Sequence, residues 1–312
     1  MSYPSVHDVK MRFLVTGGAG FIGSHIAKML VDKGDVVVFD NLSVGAKENV
    51  PMGCKLIVED IRNRVKLSEA MKDVDVVFHN AAFVSIRGSF ERLREELDIN
   101  CLGTLNVLET ASDQGVKKAI FASSMAVYGE PKRLPVDESH PLNPVSPYGL
   151  SKLRGELYCR IFDENQGLKS VILRYFNTYG IGQTPSPYVG VITTFINQAL
   201  SKKPLTVFGD GNQTRDFVWV EDVARANVSA AFSNVSGTFN IGRGAEFSIN
   251  QLADMIINHS GGSRVYLDKP AGEINRIFAD ISKAKELLNY NPKGKLEKLL
   301  PLLIDWWRKK IG

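Results

Sequence analysis

Residues 11–43 read MRFLVTGGAGFIGSHIAKMLVDKGDVVVFDNLS. The stretch opens on a short apolar run, passes through spaced glycines, and closes on a second, β-branched run ending at Asp40. Short continuous runs of this kind are what strands buried on both sheet faces look like. Between them Ile22, Ile26, Met29 and Leu30 recur at helical spacing, and Gly34 stops the helix. Strand, glycine turn, helix and strand make a βαβ unit.

The alternation continues down the chain. CKLIVED, VDVVFHNAA, KKAIFASS and SVILRYF read as strands, and RVKLSEAMKD and the stretch around LDINCLGTLNVLETASDQG as helices. SPYGLSKLRGELYCRIFDENQG reads as a helix capped by Ser146, with Pro147 in its first turn and Gly167 at its end. Repeated βα units predict a doubly wound parallel sheet of α/β class, Rossmann-type. After Phe176 the pattern loosens, and NTYGIGQTPSPYVG reads as a long loop. The expected division is a nucleotide-binding domain over 11–176, with 218–242 returning to it through GTFNIG. A smaller mixed α/β substrate-binding domain takes 177–217 and 243–312.

Composition narrows the function classes. The chain has 312 residues, 44% hydrophobic and 23% charged, with a net charge of +4. That is ordinary globular composition, without the basic stripe that nucleic acid demands. No apolar run reaches the roughly 20 residues that span a bilayer. The terminal WWRKK reads as the dipole-friendly end of a docked helix. The leading ten residues lack the apolar core of a secretion signal and read as an extension before the first strand. Cys54, Cys101 and Cys159 give neither a disulfide framework nor metal-ligand spacing, so a reducing, cytoplasmic compartment and no metal are expected.

The chemistry sits at the strand ends. Gly17, Gly20 and Gly23 form a turn into a helix N-terminus, where backbone can approach a pyrophosphate closely. Asp40 at the tip of the second strand suits the ribose hydroxyls of NAD and repels the extra phosphate of NADP. Tyr148 and Lys152, at i and i+4, share one helix face. A phenol titrates near 10 when unperturbed, and a neighbouring ammonium favours the phenolate. Upstream, the strand AIFASS ends in Ser123 and Ser124, where a hydroxyl can hold the substrate oxygen that Tyr148 deprotonates.

With TGGAGFIGS, FDNLS, EDIRN, FHNAA, NCLGTLNVLE, SSMAVYG, YGLSK, RYFNTYG, GDGNQTRDFV and ADISKAKELL in this order, residues 11–312 resemble the extended short-chain dehydrogenase/reductase family. Within it they resemble the NAD-dependent nucleotide-sugar epimerases of the UDP-glucose 4-epimerase type. The resemblance implies a Ser124, Tyr148 and Lys152 triad, with Tyr148 as base and Lys152 lowering its pKa. It also implies a cofactor site of Gly17, Gly20, Phe21, Ile22, Gly23, Asp40, Asn41, Asp60, Ile61, Ala81, Ala82, Asn100, Tyr148, Lys152 and Tyr175. On the sugar-nucleotide side it implies Ser85, Arg87, Ser124, Asn177, Val191, Val207, Arg215 and Arg276, the arginines gripping the diphosphate through their planar forks. Ile277 is implied as the residue gating room for an N-acetyl group. Homodimerisation is implied through helices at 100–114 and 148–165.

Departures from the family pattern narrow the reaction. Asn80 and Met125 replace residues that are commonly apolar and small, and Val84 stands where a lysine is frequent. Dehydrating and decarboxylating relatives carry an acid after the serine, where this chain has Met125 and Ala126. A UDP-sugar 4-epimerase is the expectation, with glucose/galactose, N-acetyl and uronate substrates all open. A net oxidoreductase on a keto-sugar nucleotide uses the same triad, whereas a non-enzymatic NAD sensor needs no such set.

Overall fold

The computed structural model describes residues 10–183, 190–269 and 274–311, with the side chains of Arg87 and Ile311 outside the description. Residues 1–9 of the expected N-terminal extension also lie outside it. The first unit is β1 (Met11–Thr16), α1 (Phe21–Leu30) and β2 (Gly34–Asp40), followed by β3 (Lys55–Val58), α2 (Arg64–Ala70) and β4 (Val76–His79). Next come α3 (Ile86–Glu91), α4 (Leu93–Leu97), a π-helical turn over Asp98–Leu102, α5 (Gly103–Asp113) and β5 (Lys118–Ser124). Helix α6 (Pro147–Gln166) leads into β6 (Lys169–Tyr175). Ser146 Oγ caps α6 by accepting from Gly149 N, and Gly167 ends it at φ 70°, a left-handed conformation suited to glycine.

Beyond β6 the elements shorten: β7 (Asn177–Tyr179), α7 (Val191–Leu200), β8 (Leu205–Phe208), β9 (Thr214–Arg215) and β10 (Phe217–Trp219). The chain then runs through α8 (Val220–Phe232), β11 (Gly237–Ile241), β12 (Phe247–Ser248), α9 (Ile249–Ser260), β13 (Arg264–Leu267), α10 (Ser282–Leu288) and α11 (Leu296–Ile311). The stretch read as one long loop begins with strand β7, which pairs with β10, a partner distant in sequence. Residues 184–189 of that stretch fall outside the description.

The main sheet has the order β11-β6-β5-β4-β1-β2-β3, and every pairing is parallel. Alternation along the strands divides its side chains between two cores. Phe13, Val15, Phe78, Ile120, Leu173 and Phe239 face one way, with Ile26 and Ala27 of α1 and Ala224 and Ala230 of α8. Leu14, Phe39, Val77, Phe121 and Ile172 face the other, with Leu67 of α2, Val107 of α5 and Cys159 of α6. A third core gathers Phe195, Leu205, Val207, Leu252, Ile256, Leu303 and Trp307 from the later elements.

Strand order reverses between β1 and β4. There the helices following the two strands diverge, and the carboxyl ends open a crevice, the place where doubly wound sheets bind ligands.

Candidate active site

At that crevice the glycine turn lies against the end of β4. Gly17 has φ 68°, and a Cβ built on it would stand 2.6 Å from Ala81 N. A Cβ on Gly23 would strike the Gly17 carbonyl oxygen. Both glycines are therefore required for strand, turn and helix to close on one another. Gly20 is the N-cap of α1; no side chain caps that terminus and its first turn holds no acidic residue. The donor end of the helix dipole is left for an outside anion, and the residues present fit a dinucleotide pyrophosphate. Phe21 and Ile22 begin this helix, half-buried against the neighbouring cores.

Asp40 is buried, its Oδ2 accepting from Ala19 N at 3.0 Å and its Oδ1 from Leu42 N at 2.8 Å. Each oxygen keeps one acceptor direction for a ribose hydroxyl. Asn41 Nδ2 donates to Asp60 Oδ2 at 2.8 Å, while Arg62 grips both Asp60 oxygens. Hydrogen bonds from Arg62 hold the Asp60 carboxyl down at about 2, so it is an anion throughout the physiological range. Ile61 beside it is a core side chain, against which Gly103 of α5 packs. Ala82, like Ala81, is half-buried next to the glycine turn.

The catalytic expectation meets on β5 and α6. Ser124 ends β5, its Oγ accepting from Ala126 N and hydrogen-bonded to the Tyr148 phenol. Gly149 lets the first turn of α6 approach, since a Cβ there would lie 2.5 Å from Ala126 O. Lys152 Nζ donates to Ala122 O at 2.8 Å and stands 5.8 Å from the Tyr148 ring centroid. Tyr175 pairs with Ser124 across β5 and β6, and its hydroxyl is bonded to Asn227.

The electrostatics correct one expectation. Burial pushes the Tyr148 phenol up to about 12, the Ser124 hydrogen bond pulls it partly back, and the Glu96 charge opposes ionisation. Burial likewise pulls the Lys152 ammonium down to about 8. Desolvation outweighs the Ser124 hydrogen bond, so the protein alone does not lower the phenol. His79, bridged between Thr16 Oγ1 at 2.8 Å and Thr104 Oγ1 at 2.9 Å, is pushed by burial down to about 3 and is neutral.

Asn100 is a brace. Its Oδ1 accepts from Phe83 N at 2.7 Å, and its Nδ2 donates to Phe83 O at 3.0 Å and Glu96 Oε1 at 2.7 Å. With these bonds made, its side chain is committed to protein partners. Ser85 is buried and caps α3 by accepting from Gly88 N. The Arg87 side chain lies outside the description.

On the sugar side Asn177 begins β7, with its buried Oδ1 lacking a protein partner. Val191 is half-buried in the first residue of α7. Val207 is fully buried in the third core, so its side chain has no surface to offer a ligand. Ile277 is likewise wholly buried, in the main core, instead of lining a wall. Arg215 lies on β9, its Nη1 donating to Thr214 O at 2.8 Å, while Arg276 is engaged by a carboxylate. Arg276 Nη2 lies 2.5 Å from Glu246 Oε1, and Thr214 Oγ1 donates to Glu246 Oε2 at 2.6 Å. Arg276 thus enters any diphosphate contact from an existing ion pair.

Reading the sequence missed Glu246, Glu96, His79 and the buried pair Glu156–Arg174. Their charges look like solvated positions until the packing is known, and no spacing rule separates Glu96 from its exposed neighbour Glu95.

Residues 13–242 match the NAD dependent epimerase/dehydratase family. The chain belongs to this family. A Methanocaldococcus jannaschii protein provisionally named UDP-glucose 4-epimerase is 46% identical over 302 residues, covering 95% of this chain and 98% of its own. The crystal structure of Thermotoga maritima UDP-glucose 4-epimerase with UDP-glucose is 36% identical, with a TM-score of 0.93, covering 97% of this chain and 100% of that one. UDP-N-acetylglucosamine 4-epimerase from Methanobrevibacter ruminantium, in complex with UDP-N-acetylmuramic acid, is 37% identical with a TM-score of 0.93, covering 96% and 99%. The epimerase/dehydratase family thus accounts for the seven-stranded sheet and for a glycine turn shaped for NAD.

Proposed function

We propose that this chain is an NAD-dependent UDP-sugar 4-epimerase. The observation that carries the reading is the meeting of Ser124, Tyr148 and Lys152 at the carboxyl edge of β5, on the same rim as the glycine turn. Gly17, Gly20, Gly23, Asp40, Asn41 and Asp60 would hold the dinucleotide. The chemistry NAD supplies when bound is reversible hydride acceptance at sugar C4, with nothing consumed over a turnover.

The chain's own residues do the rest. Tyr148 Oη takes the proton from the 4-hydroxyl while Ser124 Oγ holds that oxygen in line. Lys152 offsets the phenolate charge in a site where water is excluded. Asn177, Arg215 and Arg276 would hold the diphosphate as the 4-keto hexose turns, so that hydride would come back to the opposite face of C4 while Tyr148 returns the proton to the 4-oxygen. Met125 and Ala126 supply no acid for dehydration or decarboxylation.

The division into domains is proposed along the same lines, 11–176 with 218–242 for the dinucleotide and the remainder for the sugar nucleotide. Among the described residues no helix is long and apolar enough to cross a membrane. A cytoplasmic location is the reading that the three free cysteines support. A homodimer is supported by exposed Leu97, Leu102, Leu150, Leu157 and Ile161, an apolar stripe along α4 to α6.

The test is incubation with UDP-glucose, UDP-N-acetylglucosamine and UDP-glucuronate, with no reductant added, followed by resolution of C4 epimers. Catalytic epimer formation supports the proposal. Stoichiometric oxidation without epimer points to the net oxidoreductase instead.

A further inference from the structure

Glu96 lies on α4, 2% exposed, in a run whose other charged residues face water. Its Oε1 accepts from Asn100 Nδ2 at 2.7 Å and is in short contact with Ser151 Oγ on α6. Ser151 Oγ also lies 3.0 Å from Tyr148 O. One hydroxyl proton cannot serve both, and the carboxylate is the stronger acceptor. Through Asn100 the same carboxylate is coupled to both main-chain groups of Phe83. Glu96 therefore joins the loop after β4, the π-helical turn and the first turns of α6, between Tyr148 and Lys152.

A brace alone needs no charge. The groups facing Lys152 are Tyr148, Glu156 and Cys159 on its own helix, Glu96 on α4, Cys101 in the π turn and His79 on β4. Burial raises both thiols, and it keeps His79 neutral. Glu156 is ion-paired with Arg174. Among the described residues no cation pairs with Glu96. Burial opposes the Lys152 ammonium, and of the charges that favour it Glu96 is the largest.

We propose that Glu96 is a positioning residue for the Tyr148–Lys152 pair, bracing Ser151 and supplying the counter-charge that holds Lys152 as an ammonium. This rests on the epimerase reading for its kinetic arm only. In the NAD-loaded protein, titration of the Lys152 amine by ¹⁵N NMR, assigned with Lys152→Met, measures the charge directly. Glu96→Gln keeps the shape and an acceptor, and its Lys152 titration moves to lower pH, taking the alkaline limb of kcat with it. Glu96→Ala also removes the brace, lowering kcat by about 10- to 100-fold with KM little changed. Should Glu96→Ala fail to fold, the isosteric Glu96→Gln decides alone. A Lys152 titration identical in wild type and Glu96→Gln overturns the proposal. If the wild type makes no epimer, the functional reading fails while the NMR titration still judges Glu96.

Discussion

Glu156 and Arg174 meet side by side with both side chains sealed from solvent, Oε2 lying 2.6 Å from Nη2 and Oε1 2.8 Å from Nε. Ser123 Oγ donates to the same Oε1 at 2.5 Å. Arg174 Nη1 donates to the Tyr128 hydroxyl, which donates onward to Asn240 Oδ1. The chain of bonds ties the helix bearing Tyr148 and Lys152 to the strand bearing Ser124, and so fixes the spacing of the triad.

Removing one partner strands a buried charge. Arg174→Met is expected to cost about 3–5 kcal/mol. Adding Glu156→Leu should return much of that loss, because no orphaned carboxylate remains. Denaturant midpoints of the two variants check this, and an Arg174→Met protein as stable as wild type contradicts it.

Tyr148→Phe removes the hydroxyl that the first turn of α6 presents to Ser124. Turnover of the preferred UDP-sugar should fall by about 10²- to 10⁴-fold, the usual worth of a general base. Bound NAD, measured after denaturing the purified protein, should stay at the wild-type stoichiometry. Near-full activity would remove Tyr148 from the mechanism.

On the proposed reading, Asp40 sets cofactor choice through its spare acceptor directions and its charge. Apo-protein should bind NAD more tightly than NADP, and Asp40→Ala should narrow the gap. The variant also frees Ala19 N and Leu42 N, so its affinity for NAD should drop. Calorimetric titration of both cofactors measures this, and equal affinities in the wild type would refute it.

The alkaline limb of turnover should reflect Lys152. Its ammonium is held down to about 8 by burial, so it is present below that pH and lost as pH rises through it. Since the cation supports the phenolate of Tyr148, kcat should fall above about pH 8. A profile flat from 7 to 10 would show that the lysine charge is not needed.

Ile277→Tyr adds volume where the side chain is completely enclosed. Close-packed cores yield poorly, and the expected cost is about 1–3 kcal/mol. The denaturation midpoint should therefore drop. A stable variant that loses only UDP-N-acetylglucosamine turnover would restore Ile277 as a gate.

The fold was legible because its signals are short-range. The buried runs around Phe13 and Val37 show which faces of the sheet are covered, and Ser146, Pro147 and Gly167 bound α6 through contacts within one turn. The placement of three candidate residues was legible for the same reason: a helical turn brings Tyr148 and Lys152 onto one face, and the end of β5 carries Ser124. Strand β7 was read as loop because its stability comes from β10, forty residues on, and no local pattern announces that partner.

By itself, then, the sequence determined the βαβ alternation, the glycine turn with Asp40 opposite, and the presence of a Tyr–Lys face. These depend on steric and hydrogen-bonding preferences that act within a turn or between adjacent elements. Only the tertiary structure decided that Glu96 reaches Ser151 across 55 residues, that Tyr128 reaches Asn240 across 112, and that Glu246 holds Arg276. It also decided that Val207 and Ile277 belong to cores. Whether a carboxylate is solvated or buried against a partner depends on what packs over it, and desolvation, which sets the protonation of Tyr148 and Lys152, exists only once the chain has closed.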